Sequence, residues 1–225
     1  MKKYFLILGL FLVVSCKKSE EPFGLNFYFE NPQPINDSEL SKIPNKFQGL
    51  FMNSDSVFIR IKENIILTEN YSRYKFHKNT MDSLKQEFNF SNGKYISKLN
   101  NSVYEPKTIG DSIQLSNKEI DTFFIFSNTQ KAKRFDGQLV LNYKDSIYWK
   151  IKSIRLEKNR LKIKYIYSEE DLKKIDSVTK VKSTRIDSSS FILKPSRNEL
   201  KHILNLKKLG DDLEYKKVEN NNKVN

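Results

Sequence analysis

The feature that most constrains the fold of this chain is the spacing of its apolar residues, most of which, from Phe23 onward, recur at every second position. That period puts alternate side chains on one face of an extended strand and argues against a helix bundle. Phe23, Leu25, Phe27 and Phe29 alternate with Gly24, Asn26 and Tyr28, and Val57, Ile59 and Ile61 alternate with Phe58, Arg60 and Lys62. Asn31-Pro32-Gln33-Pro34 and Ile43-Pro44 interrupt regular structure between them. Further strands are predicted over Tyr71–His77, Tyr95–Leu99, Ile113–Leu115 and Thr122–Ser127. The clearest stretch is 138–168. Leu139, Leu141 and Tyr143 alternate, Lys144-Asp145 offers a turn, Ile147, Trp149 and Ile151 alternate, and after Lys158-Asn159 so do Leu161, Ile163, Tyr165 and Tyr167. This predicts a three-stranded antiparallel meander. The parity changes between Ile151 and the pair Ile154 and Leu156, which predicts a β-bulge near Lys152 or Ser153. The opposite face then carries Lys150, Lys152, Arg155, Lys162 and Lys164 with Tyr148.

Two helices are predicted near the C-terminus. Ser168 can cap a helix opening with Glu169, Glu170 and Asp171, acids that suit the positive end of the helix dipole. Leu172, Ile175 and Val178 share one of its faces. Ser196 with Glu199 forms a capping box after Pro195, Leu200, Ile203 and Leu204 fall on one side, and Gly210 can close the helix after Lys207 and Lys208. No fixed-period repeat is present, so propellers and solenoids are not supported. The expected fold is therefore mainly β, an antiparallel sheet or meander forming a sandwich or partly closed barrel, with one or two C-terminal helices. Cys16 is the single cysteine, so no disulfide can brace this fold. Its stability must come from buried apolar surface, which 16 Phe and 11 Tyr can supply.

Residues 1–16 read MKKYFLILGLFLVVSC. Lys2 and Lys3 followed by an apolar run from Tyr4 to Val14 have the layout of a secretory signal peptide. The run is shorter than the roughly 20 residues that span a bilayer. Its end, Val13-Val14-Ser15-Cys16, resembles the lipobox of bacterial lipoproteins. The resemblance implies cleavage between Ser15 and Cys16, and lipidation of the Cys16 thiol and of the new amino group. Two or three acyl chains would anchor the chain stably where one would not. The expected organisation is a signal peptide over 1–15, a flexible tether over 16–22, one mainly β domain over 23–215 and a frayed tail over 216–225. The tether, Lys17-Lys18-Ser19-Glu20-Glu21-Pro22, loosely resembles the surface-export signals of Bacteroidota lipoproteins, although a plain spacer reads equally well. The resemblance implies an outer-membrane location, with the face of that membrane left open.

Net charge bears on partners. The chain carries +13, of which Lys2 and Lys3 belong to the cleaved segment. Such a basic balance suggests nucleic acid in a cytoplasmic protein. In an exported one it suggests anionic glycans or lipid headgroups, so the expected partners are the membrane, through the lipid, and an envelope protein or anionic glycan, with no nucleic acid. The basic sheet face is the candidate surface for that anion, set against the simpler reading that antiparallel sheets leave one side wet and that a charged surface keeps a domain soluble.

Seven of the twelve aspartates, Asp37, Asp55, Asp82, Asp111, Asp145, Asp176 and Asp187, are followed by serine, where composition predicts about one. Asp and Ser favour turns because their short side chains bond the nearby backbone, which accounts for most of the count. Five pairs continue into an aliphatic residue, at Ser56, Ser83, Ser112, Ser146 and Ser177. These triplets resemble the O-glycosylation motif of exported Bacteroidota proteins, which makes the five serines candidate glycan acceptors.

Catalytic signatures are sparse. The two histidines, His77 and His202, have lysine neighbours and no zinc-type spacing. No hydrolase elbow, P-loop or dinucleotide fingerprint occurs, and the six glycines after residue 16 are too scattered to cradle phosphate. The expected protein is a non-enzymatic binding or scaffolding lipoprotein without cofactor or metal. The alternatives are an enzyme acting on envelope polysaccharide through residues distant in sequence, such as paired carboxylates, and a barrel around an apolar ligand.

Overall fold

Residues 24–218 are described by a computed structural model. The strands in chain order are β1 (Asn26–Phe29), β2 (Gly49–Met52), β3 (Phe58–Ile61), β4 (Ile65–His77), β5 (Phe88–Ser91), β6 (Lys94–Ser97), β7 (Val103–Ile109), β8 (Ser112–Ile125), β9 (Gln130–Phe135), β10 (Gln138–Asp145), β11 (Tyr148–Glu157), β12 (Arg160–Tyr165), β13 (Thr184–Arg185), β14 (Ser190–Leu193) and β15 (Asp211–Lys217). The helices are α1 (Met81–Glu87), α2 (Glu169–Val178) and α3 (Arg197–Asn205). The strands join edge to edge in the order β13-β14-β1-β11-β12-β15-β2-β3-β4-β8-β7-β6-β5, and β10 followed by β9 branches from β11. The sheet does not close into a barrel. Among the described residues every pairing is antiparallel except β1 with β14.

The predicted meander is β10–β11–β12. Its first turn lies two residues later than the sequence reading places it, at Ser146-Ile147 rather than Lys144-Asp145. Asp145 pairs with Tyr148, which leaves Ser146-Ile147 as a two-residue turn with Ser146 at φ 58°, the backbone hand that tight hairpins require. The predicted bulge is absent. Pairing runs without a shift from Leu139 opposite Ile154 to Asp145 opposite Tyr148, and β12 follows β11 equally regularly. The apolar residues change face because β11 lies between two cores. Ile154, with Leu139, Leu141, Leu161, Ile163 and Tyr215, packs into a core that also holds Phe47, Phe51, Ile59, Ile66 and Phe124. On the other face Trp149 joins Phe27, Phe29, Val140 and Leu193 beneath Ile175 of α2 and Leu200, Ile203 and Leu204 of α3. Full burial of an aliphatic side chain contributes about 1.5–3 kcal/mol, and each half of β11 collects this on a different side.

Both predicted helices form with complete capping boxes, Ser168 with Asp171 and Ser196 with Glu199. The second helix stops at Asn205, before Lys207 and Lys208. Gly210, at φ 56°, lies so close to β12 that a Cβ would sit 1.9 Å from the Tyr165 carbonyl oxygen. Strand β15 continues to Lys217, with Lys216 opposite Met52 and Lys217 opposite Phe51, so pairing extends two residues past the expected domain end.

Strands β4 and β8 outrun the main sheet as a long antiparallel ribbon. At its far end α1 and β5–β7 enclose a third cluster of Leu84, Phe88, Tyr95, Tyr104 and Leu115. The segments predicted at 113–115 and 122–127 belong mostly to the one strand β8. The polar stretch between them pairs with β4 at the neck of this arm.

Candidate functional site

The candidate basic face does not exist as one surface. Cross-strand pairing sets Lys150 opposite Tyr143 and Lys152 opposite Leu141, on the face of β11 that carries Ile154. Arg155, Lys162 and Lys164 point to the other face, because Arg155 and Lys162 are partners, as are Ser153 and Lys164. The reason is the missing bulge: with no extra residue, period-two alternation continues through β11 and separates the cations by parity.

Acids delivered by β15 meet three of the five. Lys162 stands opposite Glu214 and Lys164 opposite Asp212. Asp212 lies 2.8 Å from Arg155 Nη2 and 3.2 Å from Lys164 Nζ, and Lys162 Nζ lies 3.0 Å from Glu157 and 3.2 Å from Glu214. The carboxylates of Glu157 and Glu214 raise the pKa of Lys162 above the ordinary lysine value. Lys164 is buried and also donates to the Leu209 carbonyl at 2.6 Å. Lys162 and Lys164 hold β12 to β15, and Arg155 ties β11 to the same strand across β12.

The remaining two converge on a different feature. Strands β1 and β12 flank the same edge of β11, opposite β10, and splay apart. Pairing with β1 ends at Phe29 opposite Trp149, and pairing with β12 starts at Lys164 opposite Ser153. Lys150, Ile151 and Lys152 lie in the fork. A cavity of about 300 Å³ opens there, at the lower end of the range for small-molecule sites, roughly 300–1,000 Å³. Its walls come from β1 and the residues before it, from β11, from the end of β12 and from the helices, through Ile175 and Ile203. The fork is kept tight at Gly24. The Leu25 N–H donates to the Tyr167 carbonyl at 2.6 Å, and a Cβ on Gly24 would stand 2.2 Å from that oxygen. Only glycine permits so close an approach.

The lining has a polar rim and an apolar floor. Gly24 and Asp145 are exposed, Asn26, Lys150 and Lys152 half-buried, and Phe27, Phe29, Ile175, Leu193 and Ile203 buried. Lys150 Nζ donates to Asn26 Oδ1 at 3.1 Å and lies 3.2 Å from Asp145 Oδ2. It also sits 4.9 Å from the centroid of the Tyr28 ring, and Tyr28 donates its hydroxyl to Asp145 at 3.0 Å. Burial opposes the Lys150 ammonium, but its hydrogen bonds to Asp145 and Tyr28 more than offset this and raise its pKa. The same bonds lower that of Asp145. Both groups stay charged at neutral pH. Lys152 Nζ lies 4.7, 5.3 and 5.5 Å from the ring centroids of Phe123, Tyr143 and Tyr165, contacts worth roughly 0.5–1 kcal/mol each at exposed sites. Three lysines and one carboxylate line the cavity, with Lys164 matched by Asp212 behind the wall and Lys150 beside Asp145 at the rim. The sequence singled out Lys150, Lys152 and Lys164 but not Asn26 or Asp145, although Asp145 directly precedes the noted Ser146.

Of the candidate glycan acceptors, Ser56 and Ser146 are exposed turn residues at φ 61° and 58°. Ser112 is half-buried at the start of β8, Ser177 is exposed on α2 and donates its hydroxyl to the Lys174 carbonyl, and Ser83 falls in α1. His77 and His202 are both exposed. Ser15 and Cys16 lie outside the described residues, as do the tether and residues 219–225 of the tail. Among the described residues there is no cluster of three or more His, Cys, Asp or Glu side chains placed to hold a metal. None of their helices is long and apolar enough to cross a membrane. Comparison of the chain with protein-family models, with curated proteins and with solved structures finds no match.

Proposed function

We propose that this chain is an envelope lipoprotein, anchored through lipid on Cys16, whose β domain binds a small anionic ligand in the cavity at the β1–β11–β12 fork. The observation that carries this reading is a concave site with the ammonium groups of Lys150 and Lys152 at its half-buried rim beside the one carboxylate of Asp145. A binding role needs no general acid or base. The export segment and the lipobox-like Val13-Val14-Ser15-Cys16 support the envelope address and turn a basic composition away from nucleic acid.

Two measurements test the reading. In cells, Cys16→Ser should move the protein from the membrane fraction to the soluble fraction, and retention in the membrane would reject lipid anchoring. In binding assays with anionic envelope glycans and phospholipid vesicles, Lys150→Glu should reduce salt-sensitive binding at least tenfold, the scale of a lost charge-assisted hydrogen bond. Lys162→Glu, whose cation is already matched by Glu157 and Glu214, should change it less than about twofold. Equal effects of the two reversals would reject the cavity as the site.

A further inference from the structure

The geometry points to an anionic amphiphile as the occupant of this cavity: a phosphate or carboxylate head at the Lys150–Asn26 rim and a single alkyl chain on the apolar floor. This rests on the anion-binding reading above and adds the class of ligand. A free inorganic anion would need only the rim. The cavity continues past it to side chains that offer no hydrogen bond, namely Phe27, Phe29, Ile175, Leu193 and Ile203, all buried. Lys164, the one cation among the buried lining residues, is committed to Asp212 and the Leu209 carbonyl. Polarity therefore falls from rim to floor, as it falls from head to tail in an amphiphile. A wholly apolar ligand would make no use of the Lys150 ammonium, which an anionic head would share with Asp145 and Asn26, and a wholly polar one would leave the floor unfilled.

The position of the cavity in the chain indicates a source. Gly24 lies on the exposed rim and is eight residues from Cys16. A fully extended segment of that length reaches about 28 Å, so a chain anchored at Cys16 keeps the rim within that distance of the lipid attachment. The nearest reservoir of anionic amphiphiles is then the bilayer holding the anchor.

The experiment uses the full chain carrying Cys16→Ser, with hexyl, octyl and decyl phosphate, decanol and inorganic phosphate as probes, each below its micelle concentration. Trp149 is the sole tryptophan and packs in the same core as the cavity floor, so quenching by decanoate brominated along its chain reports entry of the tail. We expect affinity to rise about tenfold for each two methylenes until the floor is covered, decanol to bind at least tenfold more weakly than decyl phosphate, and Trp149 to be quenched. Lys150→Gln should lower the affinity for decyl phosphate about tenfold or more and leave decanol unaffected, with unchanged near-ultraviolet circular dichroism as the folding control. Inorganic phosphate binding as tightly as decyl phosphate would overturn the amphiphile and leave the anion site standing. Decanol binding as tightly as decyl phosphate, with no response to Lys150→Gln, would overturn both, as would failure of every probe to bind.

Discussion

A carboxylate that is almost wholly buried must be held by cations, and Glu69, with its side chain 3% exposed, is held by two. Arg60 reaches it through Nε and Nη2, Lys118 Nζ lies 2.8 Å away, and the Tyr71 hydroxyl donates at 3.3 Å. The Arg60 hydrogen bond is the largest influence, and with Lys118 it brings the pKa of Glu69 from 4.5 to about 2 against the opposing effect of burial. A lowered carboxylate pKa stabilises the fold above the unfolded-state value and ceases to do so as pH falls toward the folded-state value. Glu69→Gln should therefore destabilise the protein at pH 7 by about 2 kcal/mol. That is below the 3–5 of a fully buried pair because Arg60 and Lys118 remain partly in water and are screened. Urea titrations should find the gap between wild type and variant closing from pH 4.5 to pH 2. The Asp-Ser triplets make a second prediction at this scale. Ser56 and Ser146 present hydroxyls on exposed turns, so native protein should exceed its lipidated mass by whole sugar residues, and Ser56→Ala with Ser146→Ala should reduce the excess. Intact-mass spectra without added sugar would reject the assignment.

Among the elements, α2 has an anchor stronger than its apolar face. Asp171 is buried and accepts from the Gly210 N–H at 2.7 Å, from Ser168 at 3.0 Å and from Tyr167 at 3.2 Å. Burial alone would raise its pKa, but the N–H of Gly210, with the bonds from Ser168 and Tyr167, lowers it. One carboxylate thus caps its own helix and ties it to the loop before β15. Asp171→Ala should cost about 3 kcal/mol, more than the usual ~1 for a cap, because three backbone donors lose their acceptor. Ser196→Ala at the start of α3 should cost only about 1 kcal/mol, and chemical denaturation separates the two. The Ser168 cap and the Ser196–Glu199 capping box were legible in the sequence, as were most strands, because each is a local pattern; that Asp171 completes a second box was not read. The single basic face was not. Parity divides its cations between two faces, and the neutralisation of Lys162 and Lys164 depends on β15 lying beside β12, a pairing about fifty residues apart that brings Glu214 and Asp212 to them. The absent bulge has a similar origin. A change of apolar parity signals either an inserted residue or a second core on the far side, and only the placement of α2 and α3 decides which. The cavity was half legible: its lysines stood out, but the fork that joins them to Asn26 and Gly24 arises where β1, remote in sequence, meets the consecutive strands β11 and β12.

At the scale of the whole molecule, two cores sandwich β11 and a third sits at the end of the β4–β8 ribbon. The arm cluster contains five buried side chains, Leu84, Phe88, Tyr95, Tyr104 and Leu115, far fewer than the cores flanking the main sheet. Regions with few buried apolar contacts open at lower free energy than the global transition, so amides of β5–β7 should exchange hydrogen faster than those of β10–β12. Replacing residues 73–116 with Asn-Gly, which joins the paired Ser72 and Asn117, should leave the main sheet folded with a thermal midpoint within about 5 °C of the full chain. Collapse of the shortened protein would show that the arm is required for the rest to fold.

The way β1 enters the sheet has a mechanical meaning. Any tension transmitted along the chain from residue 23 arrives first at Gly24 and the Leu25–Tyr167 hydrogen bond, and then runs along β1, which lies parallel to β14 through four residue pairs. Those residues are also a wall of the cavity. In the proposed lipoprotein, a pull on the anchor and the release of a bound ligand would act through the same few bonds, which would make the first strand a latch as well as a point of attachment.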